Sequence, residues 1–394
     1  MTVAPTPAGK PRSVAPLWRD VRVLRVAAQI VVVALVLLIG WLLWSTLSDN
    51  MAASRLSFGL GFLEQTAGFE IAQTPISFGS TDTFARAFAV GLLNTLLVSI
   101  SGIVLATLLG VVVGVARLSR NWLANRIAAG YVELMRNTPL LVQLILLYVV
   151  FLQLPSVANS VQLPGSIFLN QRGLFMPRPE AEPTFGIWAA VLVVSVLIAV
   201  AAARLAARRE ADGRPTYRLR TLGILALVAL PLVSWLVLGP VAFDQPIQER
   251  FNFVGGVSLS PEFAALLLGL VIYTAAFIGE VVRGAIQAVR RGQVEAAYAI
   301  GLTPGQTLRL VVFPQALRII VPPLTSQYLN LTKNSSLAVA IGFADVFSVG
   351  RTMVNQTGQP LSVIALVMGT YLVLSLVTSL FMNVYNRRVQ VLER

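Results

Sequence analysis

Lys333 sits in the run Asn330-Leu331-Thr332-Lys333-Asn334-Ser335-Ser336, a polar stretch inside an otherwise apolar segment. An ammonium flanked by amides and hydroxyls can bind a carboxylate through charge-assisted hydrogen bonds. It can equally hold helix packing together or contact Glu280. The other ionisable groups expected near membrane depth are Glu280, Glu133 and Arg136, with Asp345 near the end of a span. Glu133 and Arg136 are three residues apart, so they share a helix face and can neutralise one another. Ionisable groups within apolar spans are costly and are functional candidates by default. Lys333, Asn334, Glu280 and Arg136 are therefore the candidate pathway residues.

Other chemistry is excluded. The chain contains no His and no Cys, which removes Ser-His-Asp catalysis, thiol chemistry, disulfides and the usual zinc and haem ligands. No G-x-x-x-x-G-K-[ST] motif occurs, so the chain has no phosphate-cradling loop of that kind. No cofactor, no metal and no catalytic residue are expected.

The elements that must position these residues are membrane spans. Of 394 residues 56% are hydrophobic and 12% charged, whereas a soluble domain carries about 25% charged residues. Eight spans are expected, at about 26–44, 87–113, 127–152, 185–203, 221–239, 263–283, 319–344 and 361–384. The first, Val26 to Trp44, is about 28 Å long as a helix and reads as retained, not as a cleaved signal. Lys plus Arg number 22 on one set of alternate loops and 6 on the other. This bias puts both termini in the cytoplasm. It also accounts for the net charge of +13 without a nucleic acid partner.

One cytoplasmic stretch, Arg290 to Gln315, is polar and helix-breaking: RRGQVEAAYAIGLTPGQTLRLVVFPQ. Gly292 to Ile300 reads as a short helix, and Gly301 can take φ > 0 to stop it. Thr303 suits an N-cap, Pro304 the first helical position, and Gln306 a capping box. Pro314 is expected to end or kink the second helix.

The spacing Glu295-Ala296-Ala297, three residues, Gly301, nine residues, Val311, one residue, Phe313, Pro314 resembles the EAA loop of ATP-binding-cassette (ABC) importer permeases. Val311 and Phe313 replace the family's Ile and Leu. Residues 87–155 resemble the polar amino acid (histidine/general L-amino acid) branch through Gly91-Leu92-Leu93-Asn94-Thr95, Ala116-Arg117-Leu118-Ser119-Arg120 and Glu133, Arg136, Thr138, Pro139. Gly110 and Gly114 form a GxxxG pair that allows close helix approach. The resemblance resumes at Phe263.

The resemblance implies an all-α polytopic membrane protein with the type I importer transmembrane fold, in the bacterial cytoplasmic (inner) membrane. Glu295, Ala296, Ala297, Gly301 and Pro314 would couple it to a separate ABC ATPase subunit dimer. A second permease subunit and a periplasmic amino-acid-binding protein would complete the assembly, and L-amino acids of broad, polar range would be the cargo.

The expected organisation is a cytoplasmic N-terminal tail (1–25), an extra first span and periplasmic loop (26–86), a first core half (87–155), an inserted two-span hairpin (156–259) and a second core half (260–394) carrying the coupling loop (290–315). That layout resembles the longer permeases of general L-amino acid importers. The hairpin's loop holds six arginines, which suit topology anchoring or contact with anionic membrane lipid. The rival reading is an ion-coupled secondary amino acid transporter. It would need midplane ion sites and often inverted repeats, and no repeat is visible.

Overall fold

The computed structural model describes residues 21–53 and 59–390. Most of the expected N-terminal tail, together with Arg55, Leu56 and Phe58 of the first loop, lies outside the described residues. The chain divides into two compact units, Met1–Leu60 with Gln359–Ser362, and Gly61–Gly358 with Val363–Arg394. In the first unit, helix α1 (Val21–Ala53) exposes apolar side chains all round, as a span facing lipid would.

The second unit is built on two long helices, α2 (Phe84–Ala116) and α7 (Pro261–Ala288). Thr83 caps α2 by accepting the Arg86 N–H, and Ser260 caps α7 by accepting the Phe263 N–H. The two helices cross closely. A Cβ at Gly110 would stand 2.6 Å from the Cβ of Ile278, and one at Gly114 would stand 2.7 Å from the carbonyl oxygen of Gly279. The GxxxG pair thus marks the contact itself. Val98, Ala106, Leu270, Ala275 and Ile278 fill the surrounding core.

The span expected at 127–152 is broken. It forms α3 (Trp122–Asn137) and α4 (Leu140–Leu152), which bend 106° at Thr138-Pro139. Pro139 lacks an N–H and drives the preceding residue out of the helical region, so Thr138 is extended. The exposed carbonyls are taken up locally: Gln143 Nε2 donates to Met135 O and Thr138 O, and Thr138 Oγ1 donates to Leu134 O. Among the described residues seven helices are long and apolar enough to span, or eight when this bent pair counts as one.

On the side that the charge bias assigns to the outside, the loops are not featureless. Strands β1 (Val161–Leu163), β2 (Ile167–Asn170), β3 (Gly173–Met176) and, before the next helix, β4 (Arg178–Ala181) follow α4. Helices α5 (Phe185–Ala211) and α6 (Tyr217–Leu238) form the hairpin. Strands β5 (Val241–Asp244), β6 (Ile247–Gln248), β7 (Phe253–Val254) and β8 (Val257–Leu259) lead into α7. The order β1-β2-β3-β8 makes one antiparallel sheet, and β4 pairs with β5 at the base of the hairpin. Phe168, Phe175 and Phe253 stack beneath the sheet. The all-α expectation holds for the membrane part and passed over this small β layer.

The described part of the first outside loop, from Phe62 on, is packed. Phe62, Phe69, Phe78 and Phe84 form an aromatic cluster against Val346, Val349 and Met353.

The remaining elements are α8 (Arg291–Ala299), α9 (Pro304–Thr307), a π turn (Leu308–Val312), α10 (Phe313–Asn334), a 3-10 stretch (Ser335–Ile341), α11 (Val346–Thr357) and α12 (Pro360–Gln390). Pro314 does not end the second helix of the coupling stretch. The ladder widens through the π turn, where the Phe313 N–H reaches back five residues to Leu308 O. The wider turn makes room for the proline ring, and the helical run continues to Ile341.

Candidate functional site

Two groups of residues come together in the structure, one at the coupling stretch and one where the last spans meet. At the coupling stretch, α8 ends with the Leu302 N–H donating to Ala297 O across Gly301, whose φ is +83°. Thr303 then starts α9. Its Oγ1 accepts the Gln306 N–H while Gln306 Oε1 accepts the Thr303 N–H, a complete capping box. Ala297 is buried beneath the turn, which is why a residue without bulk stands there. Glu295 and Ala296 are exposed, as are Tyr298, Ile300 and Leu310. Ile300 is 78% exposed at the hairpin tip. The result is a stiff helix–turn–helix that presents a carboxylate and apolar side chains together.

The candidate pathway residues are not gathered in one place. Glu280 is held by Arg117, at the end of α2, and by Arg283, one turn along α7. Arg283 Nη1 in turn donates to Gln287 Oε1 at 2.6 Å. Arg136 lies over the Phe277 ring at 5.3 Å, on the same helix as Glu280. Among the described residues Glu133 and Arg136 form no ion pair with each other, and Lys333 forms none with Glu280. Glu280 therefore ties α2 to α7, with Arg136 stacked nearby.

Lys333 stands elsewhere, at the end of α10. With Ser336, Phe347, Arg351, Met368 and Tyr371 it lines a cavity of about 580 Å³ whose walls are mostly apolar. Neither Lys333 nor Arg351 has an ion-pair partner among the described residues. Asn334 is half-buried at the start of the 3-10 stretch and is not among the lining residues. Arg351 escaped the reading of the sequence because it looked like one of the few basic residues of an outside loop.

A second group was also missed. Asn94 and Thr95, buried in α2, pin the turn that follows the 3-10 stretch. Asn94 Nδ2 donates to Gln73 O and Ala344 O, both at 2.9 Å, and Thr95 Oγ1 accepts the Val346 N–H at 3.1 Å. Asp345, fully buried, caps α11 by accepting the Ser348 N–H at 2.8 Å and accepts the Tyr371 hydroxyl at 2.9 Å. Burial lifts its carboxyl from the usual 3.8 to about 6, against the pull of these hydrogen bonds. The Asn-Thr dipeptide was the available signal, since two polar residues in the middle of an apolar run need partners.

Residues 205–391 match the family described as the binding-protein-dependent transport system inner membrane component. The general L-amino acid transport system permease protein AapQ of Rhizobium johnstonii is 47% identical over 368 residues, which cover 92% of each chain. The chain belongs to this family of ABC importer permeases. The glutamate/glutamine/aspartate/asparagine transport system permease protein BztB of Rhodobacter capsulatus is 39% identical to the permease over 412 residues, covering 95% of it and 96% of BztB. A crystal structure of an amino acid ABC transporter with histidines overlays the permease at a TM-score of 0.47 and 21% identity, over 77% of this chain and 95% of that one. The permease is a multi-pass inner membrane protein that works with an ATPase and other subunits. Nothing in the comparisons favours the ion-coupled alternative.

Proposed function

We propose that this permease carries polar L-amino acids inward, that Glu295, Ala296, Ala297, Gly301 and Pro314 form its coupling element, and that Lys333 receives the substrate carboxylate. The observation that carries the reading is the capped hairpin at 290–315. Two helices locked by a positive-φ glycine and a capping box move as one body. Their exposed Glu295 and Ile300 offer a docking face to a separate ATPase subunit dimer. A second permease subunit completes the pathway, and a periplasmic amino-acid-binding protein delivers the cargo. Closure of the ATPase dimer on ATP draws the coupling elements together and opens the spans outward; hydrolysis resets them. The breadth of cargo rests on the names of AapQ and BztB. The cavity with Lys333 and Arg351 supplies cations that suit a carboxylate. The arginine-rich loop of the α5–α6 hairpin contacts anionic lipid.

The test is a pair of variants in reconstituted vesicles, read by uptake and by substrate-stimulated ATP hydrolysis. A Cβ at Gly301 would meet no atom within 4 Å, so Gly301→Val strains only the backbone, by about 1–2 kcal/mol. The protein should stay in the membrane but bind the ATPase weakly or hydrolyse ATP without uptake. Glu295→Lys should act the same way through charge reversal on a docking face. Normal uptake, stimulation and subunit binding in both variants would reduce the stretch to a connecting hairpin.

A further inference from the structure

A cavity of about 880 Å³ lies on the side opposite the hairpin at 290–315, and its size suits a small-molecule site. Three segments that are far apart in sequence make it: residues 72–75 before α2, the β2–β3 turn with Gln171 and Arg172, and the stretch Asn252–Glu262 that ends in the first turn of α7. Leu97 of α2 and Leu152 of α4 also line it, so two membrane helices contribute to its wall.

Its charges are arranged unequally. Arg178 also lines it but is committed to Glu180 and Asp244. Arg172 has no ion-pair partner among the described residues. Glu262, half-buried, accepts only the Tyr148 hydroxyl, at 3.0 Å, and no cation. Gln73 Oε1 is buried without a hydrogen-bond partner in the described structure. The cavity therefore offers one uncommitted cation and two acceptors able to take more donors.

The turn that carries Arg172 is heavily anchored for an exposed residue. Asn170, fully buried, accepts the Arg172 N–H at 2.8 Å and donates to Ser160 Oγ at 3.0 Å. The Gln171 N–H donates to Pro155 O at 2.9 Å. Gly173 has φ +121°, and a Cβ there would overlap Leu259 O at 2.0 Å, so the turn is pressed onto β8 next to the start of α7. Such anchoring fixes the backbone position from which the Arg172 side chain projects.

We propose that this cavity is an outer vestibule site that holds an amino acid as its zwitterion. Arg172 takes the α-carboxylate as a two-pronged donor, and Glu262 with Gln73 takes the α-ammonium. The site is separate from the cavity at Lys333, and it would let the permease hold substrate before the spans open. The assignment rests on the amino acid cargo proposed above, and the experiment separates the two.

The probe is radiolabelled L-glutamine, and the sample is the permease–ATPase complex in nanodiscs without its soluble binding protein. Wild type should bind the probe saturably. Arg172→Ala and Glu262→Gln should each weaken binding at least tenfold while the complex elutes normally, and Arg172→Lys should recover part of the loss. Neither the des-amino analogue nor the decarboxylated amine should compete as L-glutamine does, because each lacks one of the two charges. Four results would overturn the site: no binding by wild type at millimolar probe, unchanged binding in both variants, full competition by a singly charged analogue, or binding abolished by Lys333→Ala alone. ATP-driven L-glutamine uptake by the wild-type complex with its binding protein is scored separately. Its absence removes the amino acid reading, whereas its presence with no vestibule binding removes only the vestibule.

Discussion

Helices α2 and α7 and helices α5 and α6 are comparably apolar, yet they live differently. In α7 61% of the most apolar stretch is buried inside the protein, against 11% in α5 and α6. The hairpin helices pack chiefly on one another, through Trp188 against Trp235 at 5.2 Å and Gly223 against Ala202. The contrast teaches that hydropathy locates spans but not their neighbours. In lipid an apolar side chain gains little by turning inward, so the placement of small residues decides which helices meet. Gly110, Gly114 and Gly279 occupy the α2–α7 crossing, where a methyl group would strike the backbone at Gly114 and the side chains of Ile278 and Val113 at the other two. Gly186 of α5 faces open space.

The largest effect should come from breaking that crossing. Gly114→Val puts a Cβ 2.7 Å from Gly279 O and 2.8 Å from Val282, and backbone cannot yield as a side-chain tip can. We expect a loss of roughly 3 kcal/mol or more and little assembled complex on size-exclusion chromatography. Gly186→Val in the hairpin should leave the elution profile unchanged. Equal effects from the two would erase the distinction between core and hairpin.

Much of this was legible in the sequence for physical reasons. Spans follow from solvation, and the capped hairpin at 290–315 follows from the local chemistry of Gly301, Thr303, Pro304 and Gln306, which acts within one or two turns. The break at Thr138-Pro139 was also a local signal, but a long apolar run masks a kink. Partners distant in sequence were not legible. Glu280 finds Arg117, 163 residues away, in preference to Lys333; Asp345 finds Tyr371, and the Val346 N–H beside it finds Thr95 of α2. The strands flanking the hairpin were missed because two- to four-residue strands carry almost no periodicity.

The pH dependence should also belong to the core alone. Asp345 lies in the turn between the last two spans, whereas the hairpin buries no charge among the described residues. Its folded pKa is raised, so the stability it contributes is full below 3.8 and is lost as pH rises through about 6. The total is on the order of 2–3 kcal/mol across that window. The thermal midpoint of the detergent-solubilised complex should fall from pH 4 to pH 6.5 and level off above. Asp345→Asn keeps an acceptor for the Ser348 N–H and should flatten the profile. A slope that survives this substitution would assign the titration to another group.

The smallest effects should lie on the hairpin surface, where they test whether it has any protein neighbour. Leu236 and Val237 of α6 are 76% and 77% exposed, while Leu270 of α7 is fully buried. Removing methyl groups at Leu270 leaves a hole that lipid cannot enter, so Leu270→Ala should cost about 2 kcal/mol or more. At Leu236 and Val237 an acyl chain fills the space in either case, so Leu236→Ala and Val237→Ala should each change stability by less than about 0.5 kcal/mol. Thermal midpoints in nanodiscs and uptake in vesicles read both. If the paired hairpin variants insert normally yet cut uptake by more than half, that face meets a protein and not lipid, and the hairpin joins the machinery it is here placed beside.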